Sequence, residues 1–99
     1  MSMPHILLTG YIDVPPGRLA QVNAALPAHI ALTRAEPGCL AFDVTPDAEI
    51  AGRFNVAERF ASRADFEAHQ LRTQGSDWAR ITAGIARHYQ IAEIEPKAP

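Results

Sequence analysis

A single cysteine, Cys39, leaves no internal disulfide to form, and neither a CxxC nor an HxxxH pair occurs to suggest a zinc site. His5, His29, His69 and His88 stand too far apart in sequence for metal-ligand spacing, so no metal is expected. No block of basic residues is present: nine Lys and Arg oppose eleven Asp and Glu for a net charge of -2, which argues against a nucleic-acid partner. There is no GxGxxG and no P-loop, and hence no cradle for nucleotide phosphates. Apolar runs such as Ile6-Leu7-Leu8 fall far short of the ~18 residues that span a bilayer, so no membrane insertion is expected. The start Met1-Ser2-Met3-Pro4-His5 has neither the basic segment nor the apolar run of a secretory leader, and a cytoplasmic protein is the expectation.

What is present is a chain of 99 residues with 47% hydrophobic and 20% charged content, the composition of one globular domain over residues 1–99. A chain this short buries little more than ~60% of the surface that its unfolded form exposes. Its small core predicts help from a second copy, and a homodimer is expected.

Residues 5–14, HILLTGYIDV, are rich in strand formers and stop at Pro15-Pro16-Gly17. A helix is predicted from about Pro16 to about Ala35, with Leu19, Val22, Leu26 and Ile30 on its apolar face and a kink at Pro27. Glu36-Pro37-Gly38 ends it. Residues 39–45 alternate Leu40, Phe42 and Val44 against Cys39, Ala41, Asp43 and Thr45, which predicts a second strand. After the turn residues 46–52, residues 53–60 alternate again, with Phe54, Val56, Glu58 and Phe60 on one face, so strands two and three read as a hairpin.

Ser62 and Asp65 have capping-box spacing ahead of Phe66, His69 and Gln70 on one helical face. Gly75 interrupts this helix, Ser76 can cap a restart, and Trp78, Ile81 and Ile85 form a second stripe, giving a broken or bent helix over 63–86. Residues 87–95 read as strand four, and Lys97-Ala98-Pro99 should fray. The order β-α-β-β-α-β predicts an α+β, ferredoxin-like fold: a four-stranded antiparallel sheet with both helices on one face. Leu7 and Tyr11 make the other face of strand one partly apolar, again as if a second subunit covered it.

The run Glu36-Pro37-Gly38-Cys39-Leu40, then Phe42-Asp43-Val44, Arg53-Phe54, Val56, Glu58, Phe60 and His69, resembles the antibiotic biosynthesis monooxygenase, or quinol monooxygenase-like, family of dimeric α+β barrels. Residues 42–54 look closest to its autoinducer-2-degrading branch, which isomerises a phosphorylated dione. The resemblance implies two sheets packed as a barrel between subunits and oxidation of a quinol- or polyketide-like aromatic by dioxygen. It implies no metal, flavin or haem. The chemistry is self-consistent, since a phenol that loses its proton becomes an anion able to pass an electron to dioxygen, and the protein needs a base and a dry, shaped pocket.

His69 is the implied catalytic base, against the plain alternative of an i, i+4 surface contact with Asp65. Glu58, a carboxylate on an apolar strand face, either orients His69 or a substrate hydroxyl or forms an ion pair with Arg59 or Arg87. Trp78, Phe42, Phe54 and Phe60 read as core and as pocket wall for a flat substrate. Tyr11 faces either a dimer interface or a ligand. In the isomerase alternative, Arg53, Arg59 or Arg72 would anchor a phosphate; the remaining alternative is a dimer that binds an aromatic metabolite without turnover. Relatives that degrade haem carry an Asn on strand one, where this chain has Thr9-Gly10-Tyr11, so haem degradation is not expected. The stretch after His69, residues 71–78, holds no second histidine, which leaves His69 to act with Glu58, Trp78 or water.

Overall fold

A computed structural model describes residues 3–96, so the expected fraying of residues 97–99 lies outside the described part. The chain runs β1 (His5–Asp13), a single 3-10 turn (Pro16–Arg18), α1 (Leu19–Arg34), β2 (Cys39–Pro46), β3 (Arg53–Phe60), α2 (Arg63–Gln74), α3 (Asp77–Ile81) and β4 (Arg87–Ile94). The strands form one antiparallel sheet in the order β2-β3-β1-β4, the ferredoxin-like arrangement expected from the element order. Each interior strand therefore has a partner far away in sequence.

Strand periodicity decides which face is covered. Ile6, Leu8 and Ile12 on β1 and Phe54, Val56 and Phe60 on β3 alternate inward and pack with Val22, Leu26, Phe66 and Trp78 from the helices. Burial of each such side chain contributes roughly 1.5–3 kcal/mol, and this cluster is the main source of stability.

Two details depart from simple periodicity. In β2 the pairing with β3 slips between Cys39 and Ala41, so that Leu40 is the extra residue of a β-bulge. The bulge turns Leu40 outward, 51% exposed, and packs Cys39 against the core, the reverse of the expected alternation before Phe42. In α1 the fully buried residues are Val22, Leu26, His29 and Thr33, two of them polar and outside the predicted stripe, while Leu19 and Ile30 are half-buried against the same core and a single helix runs across Pro27 as expected.

The helix ends match their chemistry. Ser62 Oγ accepts the Asp65 backbone N–H at 3.1 Å and donates to the Asp65 carboxylate at 2.9 Å, which fixes the start of α2. Ser76 caps α3, so the segment 63–86 is two helices with a break at Gly75. The Arg18 guanidinium holds the end of α3 by donating to the carbonyls of Ile81 and Ala83, and thereby fixes Trp78 over the sheet.

Gly10 sits in the middle of β1 with φ +153°, opposite Val56 on one side and Tyr89 on the other. A Cβ there would collide with the His88 carbonyl oxygen, so no other residue fits. Among the described residues no helix is long and apolar enough to cross a membrane.

Candidate active site

The corner between α1 and β2 is drawn tightly onto the first turn of α2. Gly38 permits this, because a Cβ at that position would fall on the Asp65 side chain. The close approach brings Glu36, from the corner, to His69 on α2: Nδ1 of His69 lies 2.9 Å from one Glu36 carboxylate oxygen and 3.2 Å from the other. A carboxylate only accepts, so Nδ1 carries the proton and Nε2 keeps its lone pair. Arg72 donates to the same carboxylate and to the Thr33 hydroxyl at 3.0 Å, tying the corner to α1. Burial lowers the pKa of His69 and outweighs the opposing pull of Glu36, which favours the neutral ring at pH 7.

On its other side, His69 Nε2 lies 3.7 Å from Glu58 Oε1. Glu58 sits between Leu8 and Phe42 in the strand register and is 6% exposed. Burial first, and then the Glu36 charge, push its pKa up to about 7. A neutral base and a carboxyl that titrates near neutrality therefore face each other.

Both line a cavity of about 150 Å³ between sheet and helices. Its floor includes Leu8, Ile12, Val56 and Tyr89, the neighbours of Gly10. Phe42, Val44, Trp78 and His29 supply much of the wall, with Gln70 and Thr73 from α2 and Arg87 from β4. His29 stacks on Trp78, with ring centroids 4.7 Å apart and planes 5° from parallel. It also meets the Phe42 ring edge-on at 5.3 Å and stands 6.4 Å from the His69 ring. The arrangement places the Nε2 lone pair of His69 where it can take one proton from a group bound in the cavity.

The comparisons with known proteins agree with this architecture. A family model described as antibiotic biosynthesis monooxygenase matches residues 5–80. The chain belongs to the antibiotic biosynthesis monooxygenase family. The protein PA3566 from Pseudomonas aeruginosa is 27% identical, with a TM-score of 0.68 over 99% of this chain and 98% of that one. A Nitrosomonas europaea protein provisionally named an antibiotic biosynthesis monooxygenase superposes with a TM-score of 0.76 at 20% identity, over 100% of this chain and 95% of its own. Rv0793 from Mycobacterium tuberculosis is 24% identical with a TM-score of 0.67, covering 96% of this chain and 97% of that one. No curated protein matches the chain.

In this antibiotic biosynthesis monooxygenase family member, the residues singled out from sequence divide by sheet face. His69, Glu58, Trp78 and Phe42 meet at the cavity. Phe60 backs His69, with ring centroids 4.8 Å apart, and Phe54 is core; neither lines the cavity. Tyr11 and Arg59 lie on the opposite, open face, because β1 and β3 point alternate residues there. Tyr11 is stacked on His88 and lies under the Arg53 guanidinium, while Arg59 donates to His5 Nδ1 at 3.0 Å. Arg53 is held by Asp13 on that same face, and Arg72 by Glu36, so none of the three arginines weighed as phosphate anchors lines the cavity.

The plain alternatives also resolve. Asp65 is taken by Ser62 rather than by His69, Arg59 by His5, and Arg87 donates to the Ile85 carbonyl and the Thr82 hydroxyl rather than to Glu58. Sequence reasoning gave no site role to Glu36, read as the end of a helix and as part of the run that carries the family resemblance, or to His29. Residues 71–78 hold no second histidine, but α1 places His29 on the cavity wall, 6.4 Å from the His69 ring. Its signal was available: Val22, Leu26, His29 and Thr33 fall on one helical face, but two of the four are polar.

Proposed function

We propose that this chain, one domain over residues 1–99, is a cofactor-independent monooxygenase that oxidises a quinol-like aromatic with dioxygen. His69 is the general base that removes the hydroxyl proton. The observation that carries the reading is the Glu36–His69 pair: a carboxylate on Nδ1 orients a neutral imidazole whose Nε2 lone pair serves an aromatic-walled cavity. Loss of the proton gives an electron-rich anion, which Phe42 and Trp78 hold flat against the cavity wall. In the overall reaction a quinol and dioxygen give a hydroxyquinone and water: one oxygen atom forms a new C–O bond at a ring carbon that loses its hydrogen, the two hydroxyls of the quinol become the carbonyls, and the other oxygen atom leaves as water. The substrate supplies all four electrons and no external reductant is consumed. Glu58, with its pKa near 7, is placed to pass or hold a proton beside His69.

Cavity size narrows the substrate. An engineered cavity of about 150 Å³ takes benzene, so one ring, or the reacting ring of a larger molecule, fits this one. Isomerisation of a phosphorylated dione is less well supported, since Arg87 is the only arginine lining the cavity and its guanidinium is bonded to Thr82 and the Ile85 carbonyl. The open face of the sheet, with half-buried Leu7 and Tyr11, is the surface proposed to meet a second copy. A stable monomer in sedimentation at micromolar concentration would count against that dimer.

Dioxygen uptake with a single-ring quinol, corrected for spontaneous oxidation and run on chelator-treated protein, tests the activity. Saturable uptake that drops about 100-fold or more in His69→Ala is expected. Uptake unchanged by that substitution would remove His69 from the reaction, and no enzyme-dependent uptake from a panel of quinols would sink the monooxygenase reading.

A further inference from the structure

Two polar groups on the cavity wall have no task in taking a proton from a hydroxyl. Among the described residues neither the Glu58 carboxyl nor the Tyr89 hydroxyl forms a hydrogen bond, and the 3.7 Å between Glu58 and His69 Nε2 is too long for one. The only unpartnered polar side-chain atoms that are wholly enclosed belong to His29 and Thr73, so the oxygens of Glu58 and Tyr89 reach open space. Both residues line the same cavity as His69. They come from either side of β1, Glu58 opposite Leu8 and Tyr89 opposite Gly10. Burial, and then the Glu58 charge, push the Tyr89 pKa up to about 12, which keeps it a neutral donor. A phenol gives up its proton to a lone base. A C–H beside a carbonyl is far less acidic and is removed only where donors hold the oxygen on which the charge collects.

We infer a second activity for this site: proton transfer at the carbon next to the carbonyl of a small, uncharged cyclic ketone, with His69 as base and Tyr89 and Glu58 donating hydrogen bonds to the ketone oxygen. In a β,γ-unsaturated ketone, Nε2 takes the proton from the carbon between carbonyl and double bond, and the C–H electron pair spreads over a dienolate. The dienolate oxygen accepts from the Tyr89 hydroxyl and from protonated Glu58, and His69 returns the proton to the far carbon of the former double bond. Atoms and electrons are conserved, dioxygen takes no part, and the product is the conjugated isomer. A carboxyl kept protonated by its apolar surroundings is a strong donor to such an oxygen, and Glu58, with its pKa at about 7, has that form in neutral and weakly acidic solution. Both donors are neutral, and the Arg87 guanidinium is engaged by the Ile85 carbonyl and the Thr82 hydroxyl, so the site suits a ketone without a charged group. A cavity of about 150 Å³ takes one six-membered ring.

Anaerobic incubation with β,γ-cyclohexenone, followed by the ultraviolet absorbance of its conjugated isomer, reads this chemistry apart from any oxidation. Wild type should speed the isomerisation about 100-fold or more over buffer at the same pH, and His69→Ala should abolish the gain. Tyr89→Phe and Glu58→Leu should each lower kcat about 100-fold. The wild-type rate should decline as pH rises through 7, because Glu58 then loses the proton that it donates. Around Glu58 stand His69, Glu36 and Arg72, Tyr89 and Arg87 on β4, His29 on α1 and Cys39 on β2. His29 titrates at about 4 and Tyr89 at about 12, and the His69 pKa is lowered, so a decline through pH 7 reports Glu58. Glu58→Gln, whose amide still donates, should be faster than Glu58→Leu and should lose that decline. No acceleration by wild type, or an undiminished rate in folded Tyr89→Phe or folded Glu58→Leu, would overturn the inference. If those variants do not fold, a decline through pH 7 that persists in Glu58→Gln overturns it in the same way. Dioxygen uptake with a quinol but no isomerisation would overturn this activity and leave the monooxygenase reading standing; isomerisation without uptake would do the reverse.

Discussion

The two faces of the sheet treat their polar groups in opposite ways. On the open face, Arg53 is bonded to Asp13 and lies over Tyr11, Arg59 is bonded to His5, and Asn55 to Asp47. Under the helices, Glu58 has only His69 at 3.7 Å, and His29 Nδ1 has nothing. Water could have satisfied the first set at little cost, whereas the second set is where an unmade hydrogen bond is most expensive. Stability alone would favour the reverse distribution. The covered face is the one proposed here to hold a substrate, and the open face carries ordinary surface pairs worth about 0–1 kcal/mol each.

That contrast can be broken most severely at Gly10, which lies between the faces. Gly10→Ala should cost more than about 3 kcal/mol or abolish folding, because its Cβ meets the His88 backbone, and urea unfolding monitored by circular dichroism reads the loss. Next comes Glu36. Glu36→Gln removes the charge that orients His69, and dioxygen uptake should fall about 10-fold or more while the melting temperature moves by only a few degrees. A larger change in melting than in turnover would make Glu36 a structural residue alone.

The smallest effect is a masked pH dependence. The Glu58 pKa is raised to about 7, so its contribution to stability is full below 4.5 and is lost as pH rises through 7. The His29 pKa is lowered to about 4, so its contribution is full above 6.5 and is lost as pH falls towards 4; His69, also lowered, acts in the same sense. Between pH 4.5 and 6.5 the two slopes oppose each other and wild-type stability should be nearly flat. Asp47, held down at about 2 by its hydrogen bonds to Asn55 and to the backbone N–H groups of Glu49 and Ile50, titrates below this window. In Glu58→Gln the histidine slope is unmasked, and stability should climb with pH by about 1 kcal/mol per unit, as read by urea midpoints at pH 4.5, 5.5 and 6.5. A flat profile in that variant would mean that the histidines are not held neutral by the fold.

Much of the framework was legible because its signals are local. The strict alternation of Phe54, Val56, Glu58 and Phe60, the Ser62 cap and the break at Gly75 each depend on neighbours a few residues away, and each stands in the structure as read. Glu58 was legible for the same reason, as a carboxylate out of place on an apolar face. The bulge at Leu40 was not, since an inserted residue leaves no trace in composition and reverses every alternation that precedes it. Glu36 and His29 were hidden differently: their meaning lies in contacts with residues 33 and 49 positions away, to His69 and Trp78. Tyr11 and Arg59 lie on the face away from the cavity, and sequence could not place them, because chemical aptness for a site says nothing about which face of a strand a side chain takes.

The bulge at Leu40 also decides what becomes of the only sulfhydryl in the chain. By turning Cys39 inward it places the thiol where burial, and then the negative charges of Glu36 and Glu58, raise its pKa and keep it protonated. Oxidation to sulfenic acid proceeds through the thiolate. A protein proposed to handle dioxygen, and whatever partly reduced oxygen escapes from its cavity, thus holds its one thiol in the least reactive form, and repeated turnover should leave that thiol unmodified.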